Sequence, residues 1–181
     1  MPLDRDSPDE HSPAWSPDGK WIAYQRLAGT DWELVKVPFG GGQPVRIGAA
    51  TPGGGDHTAW SPTGEWIAHV RIGTLVLTAA DGRTEKSVDG PRPAVFGFSR
   101  DGSSRYVVRH SANRAWVLAT VDVPTGQERN AVDLNVPPSA TLSGFGLHPD
   151  GKSFATGIAI TRRDIWVLDG FNVPSGWLGR F

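Results

Sequence analysis

The chain contains no cysteine, which excludes a disulfide framework, a thiolate metal site and a cysteine nucleophile. It also has almost no net charge: 18 Lys+Arg against 19 Asp+Glu leave −1 at pH 7. That balance carries none of the electrostatic footprint of a nucleic-acid or membrane-surface binder. No apolar run approaches the length of a membrane span, and the opening "MPLDRDSPDE" does not read as a signal peptide. Sustained helical periodicity is missing as well. So are a G-x-S-x-G elbow, an H-E-x-x-H pair and a P-loop. "GGGDHTAWS" is rich in glycine but lacks the lysine and following helix that phosphate binding needs, and reads as a loop.

What the chain has in plenty is turn residues and tryptophan. Its 23 glycines and 15 prolines make up about a fifth of 181 residues, well above the usual share of roughly 12%. Eight tryptophans predict a core built on large flat side chains.

One short pattern recurs four times: "WSPDGKWIAY" at 15–24, "WSPTGEWIAH" at 60–69, "FSRDGSSRYVV" at 98–108 and "LHPDGKSFAT" at 147–156. Ser16-Pro17-Asp18-Gly19 suits a type I turn closed by a glycine in the left-handed region. An aromatic or apolar residue precedes each turn, and a short apolar strand follows it. A second strand rich in β-formers comes next, in "DWELVKVP", "TLVLTA", "RAWVLATVDV" and "DIWVLDG". In three of the four units a glycine turn then leads to a last strand. Each unit is thus an antiparallel meander. Ser16, Ser61, Ser99 and His148 stand 45, 38 and 49 residues apart, the spacing of four-stranded propeller blades. Strands such as "WIAYQR" are apolar on both faces, as blades packed on both sides require. The fold expected is all-β, with four blades at about 11–50, 56–90, 93–134 and 142–171, the last incomplete. Residues 1–10 form a lead-in and 172–181 a tail.

The pattern W-S-P-D-G-K-x-I-A, with D-I-W-V a strand later, resembles the TolB-type propeller repeat, a relative of the WD repeat. Units one and two match well. In units three and four Arg100 and His148 break the pattern. The resemblance implies a propeller usually of six or more blades, so the chain is expected to be the C-terminal part of a longer propeller protein. It also implies a lean towards a periplasmic or other extracytoplasmic location. The ending "RRDIWVLDGF" resembles the tails of propeller regions in bacterial receptor kinases and regulators.

Few residues offer chemistry. Asp18, Asp101 and Asp150, with Gly19, Gly64, Gly102 and Gly151, read as structural turn residues, because unit two manages with Thr63 where the others have Asp. His11 and His57 precede Trp15 and Trp60 in the loops entering the innermost strands, at one mouth of a propeller channel. Two imidazoles there can bind a metal or an anionic ligand. In some lyases with TolB-type repeats, the resemblance implies, channel histidines hold a metal. Units three and four supply no third histidine, so solvated loop histidines are expected and no cofactor is assigned. Arg105 and Arg109 share one strand face with Val107. A solvated face guarding the sheet is expected there, with an anion-binding patch as the alternative.

The reading is a non-catalytic propeller module that binds a protein, peptide or small ligand. The alternatives are a piece of an enzyme, such as a channel-based lyase or the gating domain of a peptidase, and a sensory domain. Gly19, Gly64, Gly102 and Gly151 are expected as turn glycines, at least three of them at positive φ, and Trp15, Trp21, Trp60 and Trp66 as mostly buried between blades, with partial opening of Trp15 and Trp60 the alternative where a blade face is terminal. The end units should show bare apolar faces, at Trp21 or Ile22 and at Phe154 or Ile165. Either a closed ring of four blades or a homodimer completing a larger ring would cover them.

Overall fold

The structure is a computed structural model that describes residues 9–51, 57–88, 93–148 and 151–160. The turn is the unit from which it grows. In the first, Gly19 N–H donates to Ser16 O at 2.9 Å, and Trp21 N–H donates to Ser16 Oγ at 2.9 Å. Ser16 Oγ–H in turn donates to Asp18 Oδ1 at 2.6 Å, and Lys20 N–H closes on the same oxygen at 3.1 Å. Ser99 and Asp101 repeat this set in the third turn. In the second, Thr63 Oγ1 takes the carboxylate's place, 3.1 Å from Ser61 Oγ. The acids therefore serve local hydrogen bonding. Gly19, Gly64, Gly102 and Gly151 have φ of 70°, 78°, 74° and 72°, as expected. Asp150 lies outside the described residues.

Each turn joins the first two strands of a meander. Blade one is β1 (Glu10–Trp15), β2 (Trp21–Ala28), β3 (Asp31–Pro38) and β4 (Val45–Ala49). Blade two is β5 (Thr58–Trp60), β6 (Trp66–Arg71), β7 (Thr74–Ala79) and β8 (Glu85–Val88). Blade three is β9 (Val95–Phe98), β10 (Ser104–His110), β11 (Trp116–Asp122) and β12 (Glu128–Asp133). Blade four shows β13 (Thr141–Leu147) and β14 (Phe154–Ala159). Its expected third strand, at 164–170, lies outside the described residues, as does Ile165. All pairings are antiparallel, and each sheet keeps chain order.

The blades pack in sequence, with the first strands β1, β5, β9 and β13 side by side at the centre. Period-2 alternation gives each middle strand two apolar faces, and both are used. Ala23 and Leu34 of blade one meet Ile67 of blade two. On the other face of blade two, Ala68, Val70, Leu75 and Leu77 meet Phe96, Phe98, Val107 and Val121. Val95, Val108 and Trp116 of blade three meet Leu142 and Phe145. Each such side chain contributes about 1.5–3 kcal/mol when fully buried.

Two expectations fail. Trp15 is 53% exposed and Trp21, Trp60 and Trp66 are half-buried, so the tryptophans do not form a buried set. Trp60 lies against the cluster that joins blades one and two. Trp15 shares its sheet face with Ile22, and its ring lies 4.8 Å from that of Phe39. Nor does blade one bare Trp21 or Ile22. Lys36 Nζ sits 4.6 Å over the Trp21 ring, and Ile22 is buried with Tyr24, Val35 and Val37. At the other end Phe154 stacks on Phe145 at 5.1 Å.

Candidate functional site

The central strands run between two rims. One rim carries the entries to β1, β5, β9 and β13, and the other carries the repeated turns.

At the entry rim the two histidines occupy different places. His11 lies just before a bulge in β1, where Ser12 takes a φ of 58°. Its ring packs 4.5 Å from Trp32, with Nδ1 3.0 Å from Ser12 Oγ. His57 stands one repeat position later, edge-on to Phe96, and reaches blade four. There Gly144 N–H donates to His57 Nε2 at 3.0 Å, out of a matching bulge in β13 where Gly144 has φ 72°. A nitrogen that accepts this bond has its lone pair in use, which puts the ring proton on Nδ1. The one-residue offset turns the two imidazoles to different neighbours. Among the described residues no group of three or more His, Asp or Glu is arranged to hold a metal ion.

Arg109 belongs to a repeated device. Arg26, Arg71 and Arg109 end the second strand of their blades, and each meets a glutamate: Glu33 at 3.3 Å, Glu85, and Glu128 at 2.6 Å. The guanidinium thus clips strands of one blade together, and only the repeat register, not the local basic run, reveals it.

Arg105 corrects the expectation of a solvated face. It shares that face with Val107, but the face is the seam between blades two and three, and Arg105 is 0% exposed. Counted from the turn serine, it stands where blades one and two have Ile22 and Ile67. Its Nε, Nη1 and Nη2 have no hydrogen-bond partner among the described residues. Burial lowers its pKa to about 10, so the group stays charged at neutral pH.

At the turn rim the seams differ. Pro17 lies over Gly64, 3.5 Å from where a Cβ would stand, and Pro62 and Thr63 cover Gly102 in the same way. Between blades three and four Arg100 replaces the proline, and among the described residues nothing comes within 4 Å of the corresponding point on Gly151. A cleft of about 640 Å³ opens there, lined by Arg100, Asp101, Ser103, Tyr106, Thr120 and Gly151. The first seam holds about 300 Å³, with Pro17 and Gly64 in its wall. Asp101 is held at a pKa of about 2 by the Ser99 hydroxyl, then by Ser103, so it is a fixed negative charge in the cleft. The broken motif at Arg100 was the one sequence signal for this site. Tyr106 and Thr120, on neighbouring strands, gave none.

No family model matches the chain, and no curated protein matches its sequence. Solved structures do. TolB from Acinetobacter baumannii superposes with a TM-score of 0.64 at 18% identity, over 82% of this chain and 37% of that one. A chain of a nidogen/laminin complex gives 0.63 at 12% identity, over 86% and 64%. The β-propeller domain of the Trilobed protease from Pyrococcus furiosus, described as having an open velcro topology, gives 0.58 at 12%, over 90% and 52%. The chain spans between about a third and two thirds of these structures' own length. The fold is that of β-propeller blades, similar to those of TolB and the other structures named.

Proposed function

We propose that this propeller module is a recognition element that takes a polar small ligand or a peptide segment in the cleft between its third and fourth blades. The observation that carries the reading is the exchange of the turn proline for Arg100, which leaves the third seam wider, at about 640 Å³ against about 300 Å³ in the first. The cleft offers what a binding site needs: concavity, a cation and an anion at fixed positions, and hydroxyls on rigid strands. The similar structures support the fold and leave the role to the site.

The test restores the repeat. Arg100→Pro is expected to close the seam while keeping the turn. A photo-crosslinking residue at Thr120 should capture a ligand or partner in extracts of the source cell. Arg100→Pro should abolish that capture, and the same residue at exposed Ile72 should yield none. Equal capture from both positions, or capture unaffected by Arg100→Pro, would overturn the reading.

A further inference from the structure

We propose that the turn rim of blades one and two is a docking groove for a proline-rich peptide segment, with a basic side chain of that segment seated at blade two. This site stands apart from the cleft between blades three and four.

The repeat shows which rim residues the fold does not need. Trp21 and Trp66 begin the second strands of blades one and two. Counted from the turn serine, or from its counterpart His148, blades three and four have Ser104 and Ser153 there. A blade that closes with serine has no structural requirement for an indole at this position. Both indoles are half-buried and keep part of their surface in solvent, as does Trp60 on the same rim.

Two hollows lie along this rim and share Ala80 in their walls. The first, of about 300 Å³, is lined by Pro17, Trp21 and Trp60 among others. Its polar groups are engaged within the chain. Trp60 Nε1–H donates to Gly64 O, Ser16 Oγ bonds Asp18 and Trp21 N–H, Thr63 Oγ1 bonds Ser61, and Lys36 Nζ donates to Ala80 O. What remains for a ligand is flat apolar surface. A sugar would leave hydroxyls without partners there, whereas proline rings would not. The second hollow, of about 440 Å³, joins Trp66 with the exposed acids Glu65 and Asp81, and no base lines it. Asp81 meets Arg83 only in a loose surface pair at 3.8 Å. Two carboxylates beside an indole suit a cation.

Proline-rich chains adopt the polyproline II helix before they bind, so docking orders little. Aromatic-lined grooves are the surfaces on which such segments dock. The shared wall at Ala80 lets one extended segment occupy both hollows.

The probe is an oligoproline peptide ending in arginine, titrated into the full chain and followed by the indole N–H signals in nuclear magnetic resonance spectra. The signals of Trp21, Trp60 and Trp66 should shift and saturate, while that of Trp116, buried in blade three, stays in place. This arm needs no variant. Trp21→Ser and Trp66→Ser, which install the residue of blades three and four, should each weaken binding about tenfold. Glu65→Gln combined with Asp81→Asn should erase the preference for the arginine-ended peptide over a glutamate-ended one. Three results would overturn the proposal: no saturable shift at the three indoles, a serine variant that binds as the parent does, or a glutamate-ended peptide bound as tightly by the parent. A linear oligosaccharide that shifts these indoles where the peptide does not would assign the groove to sugars instead.

Discussion

A single methyl group is enough to probe the seam between blades three and four. An edge of the Phe145 ring lies over Gly97, and a Cβ at that glycine would stand 2.4 Å from Phe145 Cδ1 and 2.5 Å from Cε1. Gly97→Ala should therefore destabilise by about 1–3 kcal/mol through overpacking, seen as a lower midpoint in urea. Gly19 makes the opposite case. Its φ is 70° but nothing lies within 4 Å of the added atom, so Gly19→Val tests backbone strain alone, at about 1–3 kcal/mol. A midpoint unchanged by Gly19→Val would count against the hairpin turn. The turn residues were legible in the sequence because their chemistry is local: a hydroxyl, a carboxylate and a glycine within four positions. Arg105 was misread for a matching reason. Its charge was taken as a sign of solvent, whereas burial is decided by the repeat register, which places it in an isoleucine's position. His11 and His57 were read as loop residues entering the central strands, but His11 lies within β1, paired with Gln25, and a one-residue offset between repeats separates their surroundings.

At the scale of the elements, the seam between blades one and two contains a polar layer. Gln25 Nε2 donates to Thr58 Oγ1 at 3.2 Å, and His69 Nε2 lies 3.0 Å from Thr78 Oγ1, all of them buried. Burial, then the Arg71 charge, lowers the His69 pKa from 6.5 to about 4, against a smaller opposing effect of Glu85. The unfolded chain thus binds this proton more readily than the folded one. Stability should be full above about pH 6.5, fall as pH drops towards 4, and level off below, losing about 3 kcal/mol in all. Denaturant melts across that range should show the slope, and His69→Gln should remove it. A slope that survives in the variant would assign the effect to other groups. None of this layer was readable from the strand pattern, which placed His69 in a strand but could not show which blade it would face.

The whole molecule is a row of blades joined by unequal seams, and its tryptophans report on them. Trp60→Ala opens the first seam and loses the Nε1–H bond to Gly64 O at 3.1 Å, at an expected cost of about 2–4 kcal/mol. Trp15→Ala removes a side chain that is 53% exposed and should cost less than about 1 kcal/mol. Acrylamide should quench Trp15 readily and Trp116, 5% exposed, hardly at all. A homodimer formed across the first blade would cover Trp15 and Phe39. Quenching of Trp15 should then weaken as protein concentration rises, alongside a doubled mass by light scattering. The blades themselves were legible because four copies of one turn at regular spacing admit few architectures. The exposure of Trp15 was legible only as the alternative for a terminal blade face, because it depends on what stands beside the first blade and not on the blade.

The proline that rests on the next blade's glycine gives the row a direction. Pro17 and Pro62 both point from a blade to its successor, never back. Neighbouring blades therefore meet through unlike surfaces, and the contact is head-to-tail. Among the described residues nothing fills the corresponding socket at Gly19. Two first blades brought together about a two-fold axis would set socket against socket and leave both empty. Any body that fits this end must offer a turn of the successor-facing kind, so growth or assembly there has a polarity that the fold itself enforces.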